Sequence, residues 1–223
     1  MDSASSSSFE TVCRQVRSRF PAAFASKPEE PPPAAGEITE WMASCPDRPG
    51  FHQIRAEGGC GSLEVLLGLV AETGARPMRM VWIDPADSLD PATAFERTPS
   101  HLLWARGGGL PGALRVADAI LRDGDFPFVC LDGVLLPAAE WRRIPLSRWY
   151  RLQRLVSRRQ ATLLLWTPPL AIPAASRRWT LSSEWSFEHL FDRSPEELRA
   201  RIRIAPADGA EMETRAGEGR RPA

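Results

Sequence analysis

Three short apolar runs constrain this chain most: MVWID (80–84), FPFVCLD (126–132) and ATLLLW (161–166). None alternates polar and apolar residues, so a strand formed by any of them needs cover on both faces. Segments with helical spacing lie between them. LEVLLGLVAE follows the glycine-rich GGCGS, ALRVADAILRDG follows GGGLPG, and the basic PLSRWYRLQRLVSRRQ leads into ATLLLW. This rhythm predicts an α/β fold with a mostly parallel central sheet and helices on both faces. Further strands are expected at Phe51–Ile54, HLLWA (101–105) and RRWTLSS (177–183), and Gly74 is expected to end the first of these helices. In such a sheet the crevice opens at the C-terminal strand ends. The loops that matter are therefore the glycine-rich loop and those after Asp84, Ala105, Asp132 and Trp166.

The length of 223 residues suits one α/β domain with tails. Residues 1–25 contain Phe9, Val12, Cys13, Val16 and Phe20 at helical spacing, which predicts an amphipathic helix. Whether it packs on its own domain or on a partner is open from sequence. Residues 26–37 read as a proline-rich, semi-rigid linker. Residues 38–204 hold the domain, and 205–223 are too polar to bury a core, which predicts a disordered tail.

Basic and acidic residues balance at 28 each, which argues against an electrostatic grip on nucleic acid by the whole surface. The N-terminus MDSASSSSFE has no apolar segment behind a basic start, so no secretory leader is expected. No apolar run approaches the roughly twenty residues of a membrane span; the longest, 161–175, is broken by Pro168, Pro169 and Pro173. Cys13, Cys45, Cys60 and Cys130 lack zinc or disulfide spacing. The expectation is a cytoplasmic protein with reduced thiols, no bound metal and no membrane association.

A glycine-rich turn between a strand and a helix offers backbone N–H groups to an anion. A working phosphate loop also ends in lysine and a hydroxyl residue, the first to neutralise phosphate and the second to hold Mg²⁺. Here Gly58, Gly59, Cys60 and Gly61 are followed by Ser62 and Leu63, and Glu57 adds a negative charge. The loop keeps the shape and lacks the chemistry. No other catalytic constellation stands out. His52, His101 and His189 are scattered, and GGGLPG reads as a crossover loop opening the next helix.

Three segments together resemble the RecA-type recombinase core, and more closely its degenerate relatives in the ImuA/SulA-like group. MVWIDPADSLDP is similar to the strand and loop after the first helix of the recombinases. LLWARGGGLPGALRVADAILRDGDFPFVCLDGV is similar to their next strand, loop, helix and Walker B strand, and GGCGSLEVLL stands where their Walker A loop and helix begin. The likeness covers 51–166, about half the chain. By this resemblance Ser62 replaces the Walker A lysine, Leu63 the Mg²⁺-binding threonine and Ala86 the catalytic glutamate, while Asp132 matches the Walker B aspartate. Phosphoryl transfer depends on positioning and charge neutralisation, so the resemblance implies a pseudo-ATPase with no catalytic residues and no cofactor. It further implies an accessory role in the SOS response: translesion synthesis and DNA repair, beside a polymerase-like mutagenesis factor, an error-prone polymerase and a RecA-type recombinase. Two alternatives stay open, a residual ATP- or single-stranded-DNA-binding homologue and a SulA-like division inhibitor. Oligomeric state is not legible.

One surface stands out for binding. In 145–160, Leu146, Trp149, Tyr150, Leu152, Leu155 and Val156 form an expected apolar face, and Arg148, Arg151, Arg154 and Arg158 crowd the remainder. A solvated basic face is one reading. A weak contact with DNA phosphates or an acidic partner is the other. Of the 8 tryptophans, Trp82, Trp104 and Trp166 are expected in the core, while Trp41, Trp141, Trp179 and Trp185 lie nearer element ends.

Overall fold

The expected strands form and join one sheet. A computed structural model describes residues 36–57, 59–90, 94–95, 99–185 and 194–207. The strands are β1 (Gly50–Arg55), β2 (Met80–Asp84), β3 (Leu102–Arg106), β4 (Phe128–Asp132), β5 (Thr162–Thr167), β6 (Arg177–Ser183) and β7 (Ile202–Pro206), in the order β3-β2-β4-β5-β1-β6-β7. All neighbours pair in parallel except β6 and β7. The helices are α1 (Gly36–Ser44), α2 (Ser62–Ala75), α3 (Leu110–Asp123), α4 (Ala138–Arg142), α5 (Leu146–Arg159) and α6 (Pro195–Arg199). The architecture is α/β and compatible with a RecA-like fold.

Successive side chains of a strand point to opposite faces, and the continuous apolar runs therefore fill two cores. Met80, Trp82, Phe128, Cys130, Leu164 and Trp166 pack in one layer with Leu66 and Leu69 of α2 and with α1. Val81, Ile83, Val129, Leu131, Leu163 and Leu165 pack in the other with Leu114 of α3 and Leu152 of α5. Burial of each such side chain stabilises by about 1.5–3 kcal/mol. Two buried side chains show polar groups satisfied locally, whereas the indole N–H groups of Trp82 and Trp141 find no acceptor among the described residues. The Trp166 indole N–H donates to Cys130 Sγ at 3.1 Å. Gln53 Nε2 donates to Thr167 Oγ1 at 2.8 Å and to the Leu170 carbonyl at 2.7 Å, while its Oε1 accepts from the Ile172 N–H at 3.0 Å.

Several boundaries differ from the sequence-based ones. Gly36 and Glu37, expected in the linker, already belong to α1. The expected domain end at 204 cuts through β7, where buried Ile202 and Ile204 alternate with the more exposed Arg203 and Ala205. Gly74 lies inside α2, one residue before its end. A Cβ there would meet His101 Cε1 at 2.5 Å, so the glycine makes room for a ring that bonds the Val70 carbonyl at 2.9 Å. HLLWA is an edge strand, not a fully buried one: Leu103 is exposed and Trp104 only partly covered. Trp41, Trp141 and Trp179, near element ends in sequence, are buried. The N-terminal helix expected over 9–20, most of the linker and nearly all of the tail lie outside the described residues.

Candidate functional site

The loop from β1 to α2 turns on glycines with positive φ. Gly59 has φ 82° and Gly61, the residue before α2, has φ 86°; neither is favourable for a residue with a Cβ. Gly58 lies outside the described residues. Ser62 and Leu63 form the first turn of α2, and Leu63 is 47% exposed.

Register brings two carboxylates to this turn. β2 and β4 pair with Ile83 opposite Leu131, so Asp84 and Asp132 follow side by side at the strand ends. Both share the side-chain direction of Trp82 and Cys130, toward the α2 layer. Asp84 is buried and uses both oxygens on its own loop. Oδ1 accepts from Ser88 Oγ at 3.2 Å and Oδ2 from the Leu89 N–H at 2.9 Å. Asp132 has less support, a long bond of 3.4 Å from the Val134 N–H. Burial pushes its carboxyl up to about 6, helped by the neighbouring Asp84 charge and opposed by the Val134 N–H.

Gly59, Gly61, Ser62, Leu63 and Asp132 thus meet at one crevice of about 320 Å³. Four sequence-distant residues complete its walls: Leu89, Leu135, Trp185 and Leu198. Trp185 closes the loop side. A Cβ on Gly61 would lie 2.8 Å from its Cη2 and 2.7 Å from Ile202 Cδ1, and the Trp185 indole N–H is fixed to the Leu198 carbonyl at 2.9 Å. No lysine, arginine or histidine lines the crevice among the described residues. Glu64, at its rim, is paired with Arg199 at 3.4 Å. Asp87 is engaged by Arg106 at 2.8 Å. Among the described lining residues the hydroxyls are those of Ser62 and Ser88.

No protein-family model matches the chain, and no curated protein matches it either. Function therefore rests on the site itself and on the resemblance drawn from its motifs.

The basic helix is elsewhere. α5 packs on the opposite face of the sheet through Trp149, Leu152 and Val156, with Trp149 stacked on Trp141 at 5.9 Å. The apolar face is narrower than the sequence suggests, because Leu146 and Tyr150 are exposed at 59% and 45%. Leu146 lies about a quarter-turn, and Tyr150 more than a quarter-turn, from the centre of the buried stripe. Arg151 is held by Asp118 of α3, Nε to Oδ1 at 2.6 Å, and Asp118 also takes Arg122. Arg148, Arg154 and Arg158 are exposed, without an ion pair or hydrogen bond among the described residues.

The other reactive side chains are structural. Burial pushes the Cys45 thiol up to about 12 and raises those of Cys60 and Cys130, so none is activated as a nucleophile. His52 is lowered by burial, bonds the Arg48 carbonyl at 2.8 Å and packs edge-on to Trp179. Among the described residues no group of three His, Cys, Asp or Glu side chains is placed to hold a metal, and no helix is long and apolar enough to cross a membrane.

Proposed function

We propose that this chain is a RecA-like protein of the ImuA/SulA-like group that acts without catalysis, as an adaptor in damage-induced mutagenesis and translesion DNA synthesis. Its partners on this reading are proteins: a polymerase-like mutagenesis factor, an error-prone polymerase and a recombinase. The observation that carries the reading is the crevice. Ser62, Leu63 and Asp132 stand together where the resemblance would put phosphate and metal, yet among the described residues no cationic side chain lines the wall and Trp185 packs against Gly61. Such a site has no means of stabilising charge on a transferring phosphoryl group. The involvement in mutagenesis rests on the ordered likeness over 51–166.

The test is steady-state phosphate release from Mg-ATP by the purified chain, with co-purification of the three named partner types from damaged cells. The expected result is release no faster than buffer, with at least one partner retained. Turnover that disappears in Asp132→Asn would overturn it.

A second reading has its own support. Arg148, Arg154 and Arg158 are unpaired among the described residues, and Tyr150 is exposed on the side of α5 that carries Arg154 and Arg158, a combination suited to single-stranded DNA. Salt-dependent oligonucleotide binding that is lost in Arg154→Glu/Arg158→Glu is the result this reading expects.

A further inference from the structure

The crevice lacks a way to bind phosphate, but it is not featureless. Two of the exposed large apolar side chains of the described residues, Leu63 at 47% and Leu135 at 62%, stand on its rim. Leu89, Val134, Trp185 and Leu198 continue the apolar wall inward. At the floor lies Asp132, a carboxylate with about four acceptor positions and, among the described residues, one long bond, from Val134.

Each ligand class can be weighed against this arrangement. An anion meets the Asp132 carboxylate, with buried Asp84 next to it in register; the α2 N-terminus offers only about half a positive charge in return. A purely apolar group would seal Asp132 away from water without a partner, which is costly. A cation with an apolar stem satisfies both parts, because its charge bonds the carboxylate while its methylenes lie along the leucines. A volume of about 320 Å³ admits such a side chain with its immediate neighbours.

We infer that this crevice is a docking site for a protein partner, receiving an arginine or lysine side chain flanked by apolar residues, with Asp132 as the counter-charge. The inference rests on the reading above that the crevice does not handle nucleotide. Burial already disfavours the charge on Asp132, and a cation seated beside it relieves that penalty.

The experiment titrates the full chain with an N-acetylated, amidated Leu-Arg-Leu tripeptide and its Leu-Glu-Leu counterpart, at about pH 7.5, where carboxylates are ordinarily ionised. The readout is the Trp185 indole N–H resonance, with Mg-ATP and a single-stranded oligonucleotide titrated in parallel. The arginine peptide is expected to bind about tenfold or more tightly than the glutamate peptide. Asp132→Asn should erase that preference. Leu135→Arg, at an exposed rim position that spares the core, should block the arginine peptide by supplying a competing cation. Equal binding, preference for the glutamate peptide, binding of neither, displacement by the oligonucleotide, or an unchanged preference in Asp132→Asn would each overturn the inference. Binding of Mg-ATP would overturn the functional reading beneath it; peptide failure without ATP binding overturns the docking site alone.

Discussion

Trp185 stands against Gly61, with ring Cη2 2.8 Å from where a Cβ on that glycine would sit. Gly59 has a similar positive φ, yet a Cβ on it would meet nothing within 4 Å. The pair separates backbone strain from steric overlap. Gly59→Ala should cost about 1 kcal/mol from the left-handed conformation alone, and Gly61→Ala about 2–4 kcal/mol because Trp185 and Ile202 must also move. Urea unfolding of both variants reads the difference. Equal losses would mean that the ring contributes no constraint on the loop.

Asp132 gives a pH signature. Its carboxyl is raised to about 6 in the folded protein, against about 4 in an unfolded chain. The folded state therefore holds this proton more tightly. Stability from this group is fully present below about pH 4 and is lost as pH rises through about 6. Asp132→Asn removes the ionisation, so it should stabilise relative to the parent at neutral pH, by up to roughly 3 kcal/mol. The advantage should vanish near pH 4. Thermal melts across that range test the sign, and a variant less stable than the parent at neutral pH contradicts it.

Gln53 is buried within β1 and ties the end of β5 and the segment after it through three hydrogen bonds. Gln53→Leu fills similar space but leaves the Ile172 N–H and the Leu170 carbonyl without that partner. A loss of about 2–5 kcal/mol follows. Amide exchange should accelerate first at Ile172, well before the β4 and β5 core. Uniform acceleration across the sheet would assign Gln53 a global packing role instead.

Asp118 and Arg151 lock α3 to α5. The hydrogen bond from Arg151, more than any other influence, holds the Asp118 carboxyl below its ordinary range. That contribution is present above the unfolded carboxyl value and is lost as pH falls through the folded one. Arg151 is well exposed, so solvent and salt weaken the pair. Asp118→Asn should lower the melting temperature modestly near neutral pH, and less so at molar salt or at low pH. A salt-independent loss would point to packing.

The parallel sheet was legible in the sequence because MVWID and FVCLD are apolar at every step until the terminal aspartate, and TLLLW is apolar after its first residue. The meeting of the glycine loop with Asp132 was legible too, since strand ends in a parallel sheet gather on one side. The walls were not. Leu135 comes from the turn after β4, and Trp185 and Leu198 from the connection between β6 and β7; the path of both depends on tertiary packing, and Trp185 in particular reaches Gly61 from 124 positions away. The face of α5 was misjudged for a related reason. Helical spacing places Leu146 and Tyr150 near the apolar stripe, but the width of the stripe actually covered is set by what lies beneath it. β7 carried a two-residue alternation at Ile202 and Ile204 that a polar, arginine-rich setting obscured.

Asp84 engages Ser88 and Leu89 with both oxygens, and the Gly107 N–H donates to its carbonyl at 3.2 Å. The end of β2 is thereby stitched to its own loop and to the turn after β3 by the chain's own hydrogen bonds. An occupant arriving at the neighbouring hollow finds this part of the floor already set. Recognition on that side should then proceed as lock-and-key association, its heat-capacity change reflecting the apolar area covered and not the freezing of loose chain.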